Sequence, residues 1–341
     1  MKIESIKGQV FTFPSRRTSD SAGHSHPSDT VTQAKLAMLT LTAEDGTAGR
    51  VLAPVEVIRP FVINSFGRKV LIGQDPMDRE RLWHDLEHWQ RGSAGQLTER
   101  ALAAFDQALW DLAARKLGQR GYKAIKLHTW MPPVSFAPSV EMDIKACEAV
   151  REAVGPDIAL MIDGYHWYSR MEALKIGRAL ERLNFTWFEE MMSEQSIASY
   201  AWLAGQLDIP ILGPETAAGK HWTRADWVKA GVCDILRAGV PGVGGIGPTL
   251  KVAHLAESFG MDCEVHGSSA GNLAVCAAIK NCRWYERGLL HPFLDYDEVP
   301  PYLNSLWDPM DADGYVHLSQ KPGLGEDIDL DYVEAHTIET Y

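Results

Sequence analysis

The 341-residue chain has no run approaching 18 apolar residues, so no segment reads as a membrane-spanning helix. It has no long basic run either. Its 33 lysines and arginines are outnumbered by 45 carboxylates, for a net charge of −12. That balance argues against nucleic acid and anionic membrane as partners. Cysteine is sparse: Cys147, Cys233, Cys263, Cys276 and Cys282 are odd in number and form no CxxC pair. They read as free thiols in a reducing compartment, not as a disulfide framework. Met1-Lys2-Ile3-Glu4-Ser5 lacks the apolar core of a secretion signal, so the expected location is the cytoplasm. What remains is 45% hydrophobic residues and 29 glycines, enough for a large core and one or two domains.

The first hundred residues predict a small α+β domain, strands first and helices after. Residues 2–13 and 31–42 read as strands, and Glu44-Asp45-Gly46 as the turn that lets Ala48 to Leu52 pair back. Polar residues 15–30 between the first two strands read as a loop, carrying His24 and His26, that could act as a lid over a site. Helical periodicity covers 77–91 and 98–117, with Leu102, Phe105, Ala108, Leu109 and Leu112 on one face. From Gly121 strand and helix alternate to about residue 290. This recurring βα unit predicts a parallel barrel over an open sheet.

Three strands in that series end in a carboxylate. Leu160-Met161-Ile162-Asp163, Trp187-Phe188-Glu189 and Ile211-Leu212-Gly213-Pro214-Glu215 place Asp163, Glu189 and Glu215 at two intervals of 26 residues. A strand, helix and two loops take about that many residues. Consecutive βα units then bring all three to the face where barrel active sites lie. A single such carboxylate is as readily a helix cap. Three in register repel one another unless a cation sits between them, and hard oxygen ligands suit Mg²⁺.

The same register adds basic groups. Lys126 and His128 in Tyr122-Lys123-Ala124-Ile125-Lys126-Leu127-His128 are two apart, so they share one side of a strand. Either could serve as a base. His266, closing Cys263-Glu264-Val265-His266, is a second acid or base. Glu286 could contact a substrate oxygen or form a plain salt bridge to an arginine. Trp130 and His166 could line the pocket or merely pack at its rim. A divalent ion held against a substrate carboxylate stabilises the enediolate left by removal of the α-proton.

These motifs, with Gly244-Gly245-Ile246, Trp284-Tyr285-Glu286-Arg287 and Pro322-Gly323-Leu324-Gly325, make the chain resemble the enolase superfamily, in its mandelate racemase-like subgroup. The resemblance covers nearly the whole chain. It implies an α/β protein: an N-terminal α+β capping domain (residues 1–119, with the 15–30 lid loop) and a modified TIM barrel of (β/α)7β type (120–310). A C-terminal segment (311–341) would return to the cap. It implies Asp163, Glu189 and Glu215 as Mg²⁺ ligands. Lys126, His128, His266 and Glu286 take catalytic positions, and the loop carrying His24 and His26 matches a capping loop that helps select substrate. The expected reaction is dehydration of a sugar acid to a 2-keto-3-deoxy acid. The alternatives are a racemase or epimerase of a hydroxy acid, or a catalytically silent binding homologue. The partner is a small-molecule carboxylate, and a homo-oligomer is expected from the family. Four departures stand out. His128 replaces a usual lysine. Gly239 stands where an aspartate usually pairs with the catalytic histidine, Asp234 lying five residues earlier at the far rim. Met191 replaces a usual proline. The first βα unit of the barrel is lacking between helix 98–117 and the strand at 122, which would expose a strand edge.

Overall fold

Two compact units divide the chain in a computed structural model, Met1–Leu117 with Glu152–Val154, and Gly118–Arg151 with Gly155–Tyr341. The described residues are 2–19, 25–89, 98, 101–102, 104–105, 108–109, 112, 121–129, 137–287, 296–320 and 323–337. For 16–19, 25–29, 79–80, 83–84 and 87 only the backbone is described. His24, Trp130 and Pro322 lie outside the described residues, as does most of the helix expected over 98–117.

In the first unit, β1 (Ile3–Ser19), β2 (Ser25–Ala43) and β3 (Ala48–Ala53) form an antiparallel sheet in chain order. Alternation in β2 leaves two candidate faces, and the odd-numbered one is buried: Ala37, Leu39, Leu41 and Ala43 are at most 1% exposed. The expected 15–30 loop is largely strand instead. Arg17 pairs with Pro27, Thr18 with His26 and Ser19 with Ser25, beyond an irregularity at Ser15. Ladder hydrogen bonds join backbones, so a polar run can continue a hairpin that needs no buried face. The turn falls where Gly46 supplies a φ of +85°. Three short helical pieces follow (Pro60–Val62, Ile63–Gly67, Arg68–Leu71), then α1 (Arg79–Trp89). Leu102, Phe105, Ala108, Leu109 and Leu112 are all buried, as their spacing predicts. A Cβ at Gly49 would collide with the Ala108 carbonyl and the Leu112 backbone, so β3 and that helical segment meet only because position 49 is glycine.

In the second unit six parallel strands alternate with helices. They are β4 (Ala124–His128), α2 (Val140–Val154), β5 (Ala159–Asp163), α3 (Arg170–Arg182), β6 (Trp187–Glu189) and α4 (Ile197–Ala204). β7 (Ile211–Leu212), α5 (Lys220–Ala230), β8 (Ile235–Ala238), α6 (Ile246–Ser258), β9 (Asp262–Val265) and α7 (Ala270–Ala278) follow. The strands lie strictly in chain order, β4 to β9. An open doubly wound sheet would reverse order at a switch point, so this is barrel order. Val265 bridges in parallel to Tyr285, extending the curl by one more position. Its two ends then meet: the Lys126 ammonium on β4 lies 3.1 Å from a Glu286 oxygen, next to that bridge. Among the described residues no strand precedes β4 in this sheet, in keeping with the missing first βα unit. Inside, Met161, Trp187, Leu212 and Ile235 from four consecutive strands form a buried layer. β10 (Leu303–Ser305) and β11 (Asp327–Ile328) pair antiparallel before α8 (Leu330–Ala335).

Candidate active site

The functional side chains stand at the C-terminal ends of these strands because the pairing register puts them there. His128 pairs with Asp163, Asp163 with Glu189, and Glu189 with Leu212, three residues before Glu215. On β4 the burial alternates, with Ile125 and Leu127 buried on one side and Lys126 and His128 on the other. The loops behind these ends are stitched backbone to backbone. Gly164 N donates to Glu189 O at 2.8 Å, His166 N to Glu190 O at 2.6 Å and Tyr168 N to Met191 O at 3.0 Å. This stitching holds Tyr165, His166 and Glu190 at positive φ, unusual for residues with a Cβ. Met191, fully buried, packs against Gly164.

Asp163, Glu189 and Glu215 each offer an oxygen, and the three atoms lie within 4.8 Å of one another. Two buried cations share them. Lys126 Nζ is 3.1 Å from Glu189, 3.6 Å from Asp163 and 3.1 Å from Glu286. Arg237, on β8 and fully buried, places Nε 2.7 Å from Glu189 and 3.3 Å from Glu215, and donates from Nη2 to Glu286. The arginine partner foreseen as the competing reading of Glu286 is therefore present. Counted in their ionised forms, Asp163, Glu189, Glu215 and Glu286 set four negative charges against the two positive ones of Lys126 and Arg237, a formal balance of −2.

These contacts set the protonation of each group. Burial pushes the Lys126 ammonium down, and Arg237 does too, but Glu189, Glu286 and Asp163 outweigh both and hold it above its ordinary range. Burial pushes the Glu189 carboxyl well up, only partly opposed by Arg237 and Lys126. For Glu215 burial is overcome by the His266 hydrogen bond and by Arg237, which hold it well below the carboxylate range. Glu286 is held low likewise, by Arg237 and Lys126 against its burial. It is therefore an acceptor and has no proton to give. Glu190, next to the triad, is pushed up to about 9 by burial and by Glu194.

At the rim, the side chains of His128 and His266 are 33% and 45% exposed, against 3% for Asp163 and none for Glu189. Burial, with help from Lys126, pushes His128 below its ordinary value, leaving the ring neutral at neutral pH. His266 Nδ1 lies 3.0 Å from Glu215, 3.2 Å from Arg237 Nη2 and 3.5 Å from Glu286. It has no aspartate at position 239, and a Cβ there would come within 3.0 Å of the His266 carbonyl oxygen and 3.3 Å of its own Cβ. Asp234 is occupied at the start of β8, accepting from Ile211 N at 2.9 Å. Both ring nitrogens of His166 face protein atoms, Nδ1 toward Met192 O at 3.2 Å and Nε2 toward Thr216 Oγ1 at 3.1 Å. His26 pairs with Thr18 through its backbone, and its side chain is not described.

Arg237 escaped the sequence reading. The available signal is a basic residue inside the apolar strand Ile235–Ala238, beside the carboxylate register. Glu194 and Arg224, taken up below, lie in a loop and a helix with no local pattern to mark them.

Whether the triad fits a divalent cation is answered by its own atoms. The donors are hard oxygens within 4.8 Å of one another, and together with Glu286 they keep a balance of −2 against Lys126 and Arg237. They fit.

Comparison with known proteins agrees. Residues 108–333 match the family model described as Enolase C-terminal domain-like, and residues 9–123 match the mandelate racemase / muconate lactonizing enzyme N-terminal domain. A solved D-glucarate dehydratase from Agrobacterium tumefaciens, complexed with magnesium, is 56% identical, covers 98% of each chain and superposes with a TM-score of 0.64. D-galactarolactone cycloisomerase of Agrobacterium fabrum is 28% identical over 86% of this chain and 89% of its own. L-talarate/galactarate dehydratase of Salmonella typhimurium is 28% identical over 75% of this chain and 70% of its own. With both halves matched, the chain belongs to the mandelate racemase / muconate lactonizing enzyme family of the enolase superfamily.

Proposed function

We propose that this chain is a Mg²⁺-dependent hydro-lyase that removes water from a sugar acid, with a hexaric acid such as D-glucarate as the first candidate. The observation that carries the reading is the convergence of three carboxylates beneath two rim histidines. The names of the similar proteins, which concern glucarate, galactarate and talarate, support the substrate class.

Asp163, Glu189 and Glu215 would hold the ion. When bound, a divalent cation supplies positive charge against the substrate carboxylate and so lowers the cost of removing the adjacent proton. Of the two groups on the β4 face, His128 is the one without a proton at neutral pH, so it takes the proton from the α-carbon. Lys126 stays cationic beside it and orients the carboxylate end of the substrate. His266 gives a proton to the β-hydroxyl as it leaves as water, and the enol that remains becomes the 2-keto-3-deoxy acid. A donor role for His266 does not need the aspartate that position 239 lacks. Glu286 orients His266 and Arg237 as an acceptor.

The test is proton NMR in D₂O with magnesium and a panel of sugar acids including D-glucarate. Loss of the α-proton signal with growth of a 2-keto-3-deoxy product is the expected result. Exchange with inversion at the α-carbon and no keto acid would replace the dehydratase reading with a racemase or epimerase.

A further inference from the structure

Two buried ionic side chains outside the triad converge on a single three-residue stretch. Glu215, Thr216 and Ala217 follow β7 and carry one of the three candidate ligands. The Glu194 carboxylate, 4% exposed, accepts from Glu215 N and Thr216 N at 2.7 Å, from Ala217 N at 2.9 Å and from the Thr216 hydroxyl at 2.9 Å. Arg224, 1% exposed, donates to the carbonyls of Glu215 at 2.6 Å and Ala217 at 2.7 Å. Its Nε reaches the Arg237 carbonyl on β8 at 3.3 Å. An anion thus holds the N–H groups of the stretch, and a cation holds its carbonyls. Burying either charge is costly unless hydrogen bonds compensate. Here the compensation goes to the backbone of one ligand loop.

We propose that Glu194 and Arg224 are positioning residues that clamp this loop and fix the direction of the Glu215 carboxylate. The clamp thereby sets the affinity and size selectivity of the triad for a small divalent ion. This rests on the reading of the triad as a metal site. The clamp is needed because Glu215 is also drawn sideways, to His266 at 3.0 Å and Arg237 at 3.3 Å. A small hard ion demands near-ideal octahedral geometry, whereas Ca²⁺ tolerates loose and irregular ligands. Loosening the loop therefore costs Mg²⁺ more than Ca²⁺.

The experiment is calorimetric titration of Mg²⁺ and of Ca²⁺ into the full-length, substrate-free protein and its Glu194→Gln variant. Melting in EDTA and circular dichroism report folding. The variant should bind Mg²⁺ about tenfold more weakly or worse, and its preference for Mg²⁺ over Ca²⁺ should fall. A merely structural role would lower the melting temperature and leave that preference unchanged, which overturns the proposal. If Glu194→Gln does not fold, Arg224→Lys is read by the same two ratios. It keeps the charge but loses the fork that spans two carbonyls. Failure of the wild-type protein itself to bind Mg²⁺ would overturn the metal reading, and is a result distinct from failure of the clamp.

Discussion

Arg237 decides how the charges in this site are held. Its guanidinium touches two candidate metal ligands, Glu286 and the ring of His266 at once, and no solvent reaches it. Removing one partner of a buried ionic network typically costs about 3–5 kcal/mol, since the others stay buried without compensation. Arg237→Met should lose stability on that scale, measured by urea unfolding in EDTA. Added magnesium should restore part of the loss by supplying positive charge to the same carboxylates. At His266 the test is a division of labour. His266→Asn should abolish formation of the keto acid while leaving some α-proton exchange in D₂O, because the base stands on β4. Loss of both together would count against this division of labour, with His128 as base and His266 as acid. At this scale the sequence was legible wherever a side chain closed an apolar run. Asp163, Glu189, Glu215, His128 and His266 did so, Lys126 shares the side of its strand with His128, and these six with Glu286 fall in one connected site. Arg237, Glu194 and Arg224 were hidden because their partners are distant in sequence and partly backbone.

Strand ends, and not whole strands, carry the site. β6 has three residues and β7 two, yet their register places Glu189 and the Glu215 loop. Such short strands are legible because each is an apolar run stopped by a carboxylate, whereas β1 and β2 were read short because polar residues in a ladder leave no period to find. β9 offers a check on how buried charge loads an element. Glu264, 1% exposed, accepts from Arg283 N at 3.1 Å and Trp284 N at 3.2 Å and so anchors the segment leading to Glu286. Burial outweighs those bonds and pushes its carboxyl from 4.5 up to about 6. A raised carboxyl contributes stability that is fully present below the unfolded value and is lost as pH rises through the folded one. The stability difference between wild type and Glu264→Gln should therefore fall by about 2 kcal/mol from pH 3.5 to 8. Denaturant unfolding at a series of pH values measures it. A difference that is flat or rising with pH would mean that Glu264 stays ionised in the folded protein.

Over the whole molecule, acidity and topology meet at one place. The chain carries a net charge of −12, and the six ionic groups where the parallel sheet curls back on itself retain −2 of it after Lys126 and Arg237 are counted. The ends of that sheet are joined through Lys126 and Glu286, so the charge balance of the site is also a condition on the fold of the second unit. A ligand that binds the folded protein and not the unfolded chain raises stability by mass action, about 2.7 kcal/mol at a hundredfold excess over its dissociation constant. Magnesium should therefore raise the melting temperature, and the increment should follow the logarithm of its concentration once the site is filled. Asp163→Asn removes one ligand and lowers the opposing charge by one, so it should melt at nearly the same temperature with or without magnesium. Calorimetric melts at several magnesium concentrations test both statements. An increment that survives unchanged in Asp163→Asn would place the ion elsewhere on this acidic chain, and the three carboxylates would then be held by Lys126, Arg237 and His266 without it.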